Sequence, residues 1–199
     1  MSTNSLAIPV KDMAFIALFT ALLCAVSPFS IAIGPIPLSF ATLVIYLAAG
    51  TLGWKYGTIS VIIYILLGAF GLPVFSGFGA GFQRIAGPTG GFIIGYIPLA
   101  LVTGLATKHI ESKETSSQRN APKYRKSWLF ILGMVIGTVI LYTCGVAWFM
   151  IQLKASLAAA LMACVVPFLI GDSIKIIIAF IVSPQLRAAL RAQGSGARG

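Results

Sequence analysis

Long apolar runs, each close to twenty residues and broken by glycine, proline or lysine, leave this chain one class of fold. A run of that length spans the hydrocarbon layer as a helix, and in lipid every backbone group must be paired within the segment. Charged residues are 9 % of the 199 residues and the mean hydropathy is +0.98, against roughly 25 % charged residues in a soluble domain. The pattern predicts an all-α integral membrane protein. Its spans lie near 13–32, 38–53, 57–72, 90–107, 128–150 and 167–183. The first run, after MSTNSLAIPVKD, is too long for a cleaved leader and is continued by more membrane sequence, so it reads as a retained helix. GPIP (34–37) separates the first two spans, and GWKYG (53–57) reads as a tight turn after the second. A polar linker, 107–127, follows the fourth. Residues 1–185 form one membrane domain; 186–199 read as a cytoplasmic tail whose end, AQGSGARG, resembles an appended linker.

Charge fixes the expected orientation. With the N-terminus inside, the inner side holds Lys11, Lys55, Lys108, Lys113, Arg119, Lys123, Arg125, Lys126, Arg187, Arg191 and Arg198. The outer side holds only Arg84 and Lys154, and Lys175 lies within a span. Positive residues on short loops stay cytoplasmic, so both termini are expected there. Trp54, Tyr56, Trp128 and Trp148 fall near span ends, as interfacial aromatics do. The formal charge of +10 is thus mainly a topology signal and gives no support to nucleic-acid binding.

The last span contradicts its own surroundings. In VVPFLIGDSIKIIIAFIVSP (165–184), Asp172, one of four acidic residues in the chain, stands three residues before Lys175. Residues i and i+3 share a helix face. Each charge at mid-membrane costs about 2.5–3.5 kcal/mol on insertion scales, so the two must pair or face a wet cavity. Pro167 suits the first turn of a helix and not its interior. Span six therefore starts at Pro167, with 156–165 as a short helix packed over the outer side. That places Asp172 and Lys175 in the outer third, on the side of Arg84. A self-satisfied buried ion pair is the plain alternative; three charges converging on one outward cavity is the functional one.

The loop GLPVFSGFGAGFQRIAGPTGG (71–91) supplies the rest. Loops on a rigid scaffold often bear binding function. Phe75, Phe78 and Phe82 are candidate walls, and Gln83 and Arg84 are donors. Gly87, Thr89 and Gly90 lie where the fourth helix begins, and a helix start favours an anion; a flexible turn is the alternative. Tyr142 is a further packing candidate. Catalytic chemistry is missing. There is no G-x-x-x-x-G-K-[ST] and no H-E-x-x-H. The single histidine, His109, lies in the linker, so no metal site and no Ser–His pair is expected. Cys24, Cys144 and Cys164 read as buried thiols. Ala14, Ala17, Ala21 and Ala25 form a small-residue stripe, and Gly91/Gly95 and Gly133/Gly137 repeat the spacing. Such stripes let helices approach closely, within the chain or with a partner.

GLPVF at 71–75, GPTGG at 87–91 with GY at 95–96, and PFLIGDSIK at 167–175 together resemble the BioY family, the biotin-binding S components of energy-coupling factor (ECF) transporters. The resemblance spans 10–185. Phe78, Phe82, Gln83 and Arg84 stand where many of its members are smaller or more apolar. The resemblance implies a six-helix S-component fold in the cytoplasmic membrane, a ligand site facing outside and high-affinity biotin capture rather than catalysis. It implies no cofactor, since biotin is cargo and ATP belongs to partners. Those partners are one transmembrane coupling subunit, met by the Ala14–Ala25 stripe, and two ATPases; some members work without them. On this basis Asp172 takes a ureido N–H and Arg84 the valerate carboxylate, while Lys175 serves either the ureido oxygen or Asp172. Phe75, Phe82 and Tyr142 pack the apolar part. An S component for thiamine or riboflavin, or a solitary carrier, is the rival reading.

Overall fold

The computed structural model describes residues 9–32, 36–115 and 123–195; the side chains of 109–127, His109 among them, and of 191–195 lie outside the described set. Of the expected linker, 107–115 and 123–127 are helix, and of the expected tail so is 186–195; 116–122 and 196–199 lie outside the described residues. Four helical segments are long and apolar enough to cross a membrane: Ala41–Ala69, Gly90–Lys108, Trp128–Leu153 and Leu157–Leu190. Helix α1 (Val10–Val26) adds a shorter apolar one. The segment α2 (Ala41–Ala69) is two helices in sequence, because Gly53 at its middle has φ 78 and ψ −176. Only glycine takes that conformation without cost, and the chain folds back there. A Cβ on Gly57 would stand 2.9 Å from the Cα of Ala49, so the halves 41–52 and 54–69 lie against each other. The GWKYG turn is thus where the sequence placed it, and the total is six apolar helical segments.

The first expected span is shortened. α1 ends at Val26 rather than near 32, because Pro28 brings no N–H for a further turn. The chain then forms an antiparallel hairpin, β1 (Ser30–Ala32) with β2 (Pro37–Ser39), in the register Ser30↔Ser39 and Ile31↔Leu38. This hairpin replaces the plain separator expected at GPIP. After α2 come a 3-10 turn, Ser76–Phe78, and the short helix α3 (Phe82–Ala86). Helices α4 (Gly90–Thr115) and α5 (Lys123–Leu153) are longer than expected. The short outer helix is present as α6 (Leu157–Cys164), its first turn capped by Ser156 accepting from the Ala159 N–H. It breaks at Val165, and α7 (Val166–Ser195) starts with Pro167 in its first turn. α7 continues through Pro184 into residues assigned from sequence to the tail.

α2 is the centre of the bundle, with α1, α4 and α7 packed around it and α5 against α4. Tyr46, Ile45, Tyr64, Leu99, Met134 and Leu141 fill the core. Gly91, Gly95, Gly133 and Gly137 all face the α4–α5 interface, where a Cβ would strike Trp148, Leu141, Ala106 or Leu99. Those glycine pairs serve internal packing. The alanine stripe does not: Ala14, Ala17, Ala21 and Ala25 are all exposed on α1.

Candidate functional site

α7 has two faces. Ile170, Ile174, Ile177, Ile178 and Ile181 are exposed, while Asp172, Lys175, Ala179 and Ser183 are buried. An isoleucine face toward lipid thus turns the charged pair inward. Asp172 is 5 % exposed and Lys175 4 %, and Lys175 Nζ donates to Asp172 Oδ1 at 2.8 Å. The pair is not bonded to itself alone. Lys175 Nζ also donates to the Ser39 carbonyl at 2.7 Å and to Thr42 Oγ1 at 3.0 Å. Thr42 Oγ1 donates to Asp172 Oδ1 at 3.3 Å, and the Tyr142 hydroxyl donates to Oδ2 at 2.6 Å. The Phe40 ring centroid lies 6.0 Å from the ammonium, within cation–π range.

Counting bonds shows what remains. An ammonium has three N–H groups, and all three have partners in Ser39, Thr42 and Asp172. A carboxylate has about four acceptor sites. Three are taken, by Lys175, Thr42 and Tyr142. Asp172 therefore keeps acceptor capacity on Oδ2, and Lys175 has none to spare. Breaking either partner away would strand a buried charge, which is why the surrounding polar groups are needed.

Asp172 and Lys175 line a cavity at the end of the bundle formed by the hairpin, the 71–89 loop and the ends of α4, α5 and α7. Its walls are mixed. Phe75, Phe92, Ile93, Leu141 and Phe168 are apolar, and Tyr64, Tyr96 and Tyr142 bring a hydroxyl on an aromatic ring. Arg84 and Thr89 line it too. Arg84 has no carboxylate partner among the described residues. Phe75 is held in place by an edge contact with Tyr64, ring centroids 5.7 Å apart, and by packing onto Gly68.

The structure thus brings Asp172, Lys175, Arg84, Phe75, Thr89 and Tyr142 together around one space. Phe82 and Gln83 do not line it; both are exposed, Phe82 at 70 %. Gly87 and Gly90 stand behind the lining. The Gly87 carbonyl accepts from Trp148 Nε1 at 2.9 Å, and a Cβ on Gly90 would overlap the Ile85 carbonyl. Sequence reading missed Ser39 and Thr42. Thr42 carried a signal, since a threonine and Tyr46 one turn apart interrupt an otherwise apolar helix. Ser39 acts through its backbone carbonyl and carried none. A second depression, mostly apolar in character, lies between α1 and the second half of α2. It is lined by Met13, Ala17, Thr20, Ala21, Ile59 and Ile63 among others.

The family model described as "BioY family" matches residues 1–192. A protein of Thermotoga maritima named "Biotin transporter BioY" is 37 % identical over 171 residues, covering 85 % of this chain and 92 % of that one. One of Pyrococcus horikoshii, "Probable biotin transporter BioY", is 32 % identical over 177 residues, covering 89 % and 96 %. A crystal structure described as the S-component for biotin from an ECF-type ABC transporter superposes with a TM-score of 0.76 at 30 % identity, covering 94 % of this chain and 95 % of its own. With its six apolar segments in that same arrangement and its motifs spread over nearly the full length, this chain belongs to the BioY family.

Proposed function

We propose that this protein binds biotin from the external side of the cytoplasmic membrane and serves its uptake as the substrate-specific component of an ECF-type transporter. The observation that carries the reading is the pairing of chemistries in one cavity. A buried carboxylate with a spare acceptor site, a guanidinium with no carboxylate partner among the described residues, and aromatic and aliphatic walls line the same space. Biotin matches this in kind: ureido N–H donors, an apolar bicycle and chain, and a terminal carboxylate. Asp172 Oδ2 accepts a ureido N–H, and Lys175 holds the Asp172 side chain oriented. Arg84 takes the carboxylate, and Phe75 and Tyr142 pack the apolar part. A charge-assisted hydrogen bond of this kind contributes about 1.5–3 kcal/mol.

The distribution of Lys and Arg supports cytoplasmic termini and a cavity mouth on the outer face. The exposed Ala14, Ala17, Ala21 and Ala25 stripe, bordering the apolar depression between α1 and α2, is the surface for a transmembrane coupling subunit, which with two ATPases supplies the energy. Titration of the purified protein with biotin, thiamine and riboflavin tests the ligand assignment. Saturable binding of biotin alone is expected. Binding of either other vitamin in its place overturns it.

A further inference from the structure

The part of the cavity that bears Arg84 rests on a helix too short to hold itself. α3 has only five residues and no side-chain cap at its start. Isolated helices of that length do not persist, and the last carbonyls of any helix lack partners within it. Here they are supplied from outside. Thr89 Oγ1 donates to the Arg84 carbonyl at 3.2 Å. Gln152 Nε2 donates to the Ala86 carbonyl, and Trp148 Nε1 donates to that of Gly87 at 2.9 Å. Two of these three donors stand one turn apart on α5. Gly91 makes room for Trp148, because a Cβ there would meet the Trp148 side chain and, at 2.6 Å, the Cys144 carbonyl.

A second constraint acts on the Arg84 side chain itself. It runs across Gly79, where a Cβ would stand 2.5 Å from Nε and 2.9 Å from Cζ. Backbone and guanidinium are therefore placed by different residues. The same α5 bears Tyr142, bonded to Asp172 in the cavity wall. Six residues of helix separate Tyr142 from Trp148, a rise of about 9 Å. Asp172 and the segment that bears Arg84 are thus both bonded to one helix.

We infer that Trp148 and Gln152, with Gly79, are positioning residues that hold the Arg84 guanidinium at a set distance from Asp172, so that the site selects a ligand by the spacing of its polar head and terminal carboxylate. The inference rests on Arg84 being the carboxylate's partner. Three probes test both: biotin, its primary amide, and the acid with one methylene removed from the chain. The wild type binds biotin about 10-fold or more tighter than either analogue, and Arg84→Gln removes the preference over the amide. In Trp148→Phe/Gln152→Ala both preferences collapse, while the amide binds as it does to the wild type. Gly79→Ala, which displaces only the end of a flexible side chain, gives the same result without touching α5. Were Arg84→Gln to abolish the preference while Trp148→Phe/Gln152→Ala and Gly79→Ala keep it, or were the α5 variant to weaken acid and amide equally, the positioning role is overturned. If the wild type does not distinguish acid from amide, or Arg84→Gln still does, the assignment of Arg84 fails first.

Discussion

Thr42 shows how closely the charges of α7 depend on groups far away in sequence. Its hydroxyl accepts from Lys175 and donates to Asp172, joining the start of α2 to a pair some 130 residues later. Lys175 then reaches the Ser39 carbonyl, and Tyr142 closes the other oxygen of Asp172. Removing one partner of such a buried pair costs about 3–5 kcal/mol, whereas replacing both by apolar residues is often neutral. Lys175→Met is therefore expected to lower stability in detergent micelles, and Asp172→Leu/Lys175→Met to recover most of the loss, read by thermal or denaturant unfolding. Biotin affinity stays abolished in both. Stability and binding thus separate at these residues. A double variant as unstable as the single one would show that the pair contributes more than charge compensation. Asp172 and Lys175 were legible from sequence because charges in a membrane span demand a reason. Ser39 was not, since any residue has a carbonyl. Thr42 was hard to single out because a helix threonine commonly bonds back to its own turn, as Thr107, Thr138 and Thr143 do here.

Elements were legible where backbone chemistry is decisive. Pro167 set the start of α7, and Ser156 with the break at Val165 gives the short α6 before it. The GWKYG turn is present, with Gly53 at φ 78. Gly53→Ala would force an L-residue into a positive-φ, extended conformation that is essentially glycine's alone, at about 1–3 kcal/mol. A Cβ there meets no neighbour within 4 Å, so strain is the whole effect. Unfolding measurements should show a loss of that size with biotin affinity retained, since Gly53 lies in the turn that joins the two halves of α2, away from the cavity lining. What escaped the sequence was the hairpin at 30–39. SIAIGPIPLS is apolar enough to extend the first span, and a three-residue strand has no period to read. The 71–89 loop was recognised as a wall, but its internal order was not. Phe75 turned inward while Phe78 and Phe82 stayed exposed, a choice set by the bridge between Phe75 and Gly79 and by left-handed Gly77.

At the scale of the whole molecule, hydrophobic length was sufficient for a bundle of six apolar helical segments, because lipid permits so few alternatives. The cavity was not legible as a shape. Its lining comes from the hairpin, α2, the 71–89 loop, α4, α5 and α7 at once, and only packing brings them to one end. The small-residue stripes show the same limit: one spacing serves the α4–α5 interface through glycine and leaves alanine bare on α1. The central claim is that the charged pair of α7 is a ligand site rather than an internal tie. Calorimetric titration of biotin into purified wild type and Asp172→Asn, each shown to be folded, tests it most directly. The account predicts saturable binding by the wild type and a loss of about 10-fold or more in the variant. Equal affinity in the two proteins would contradict it.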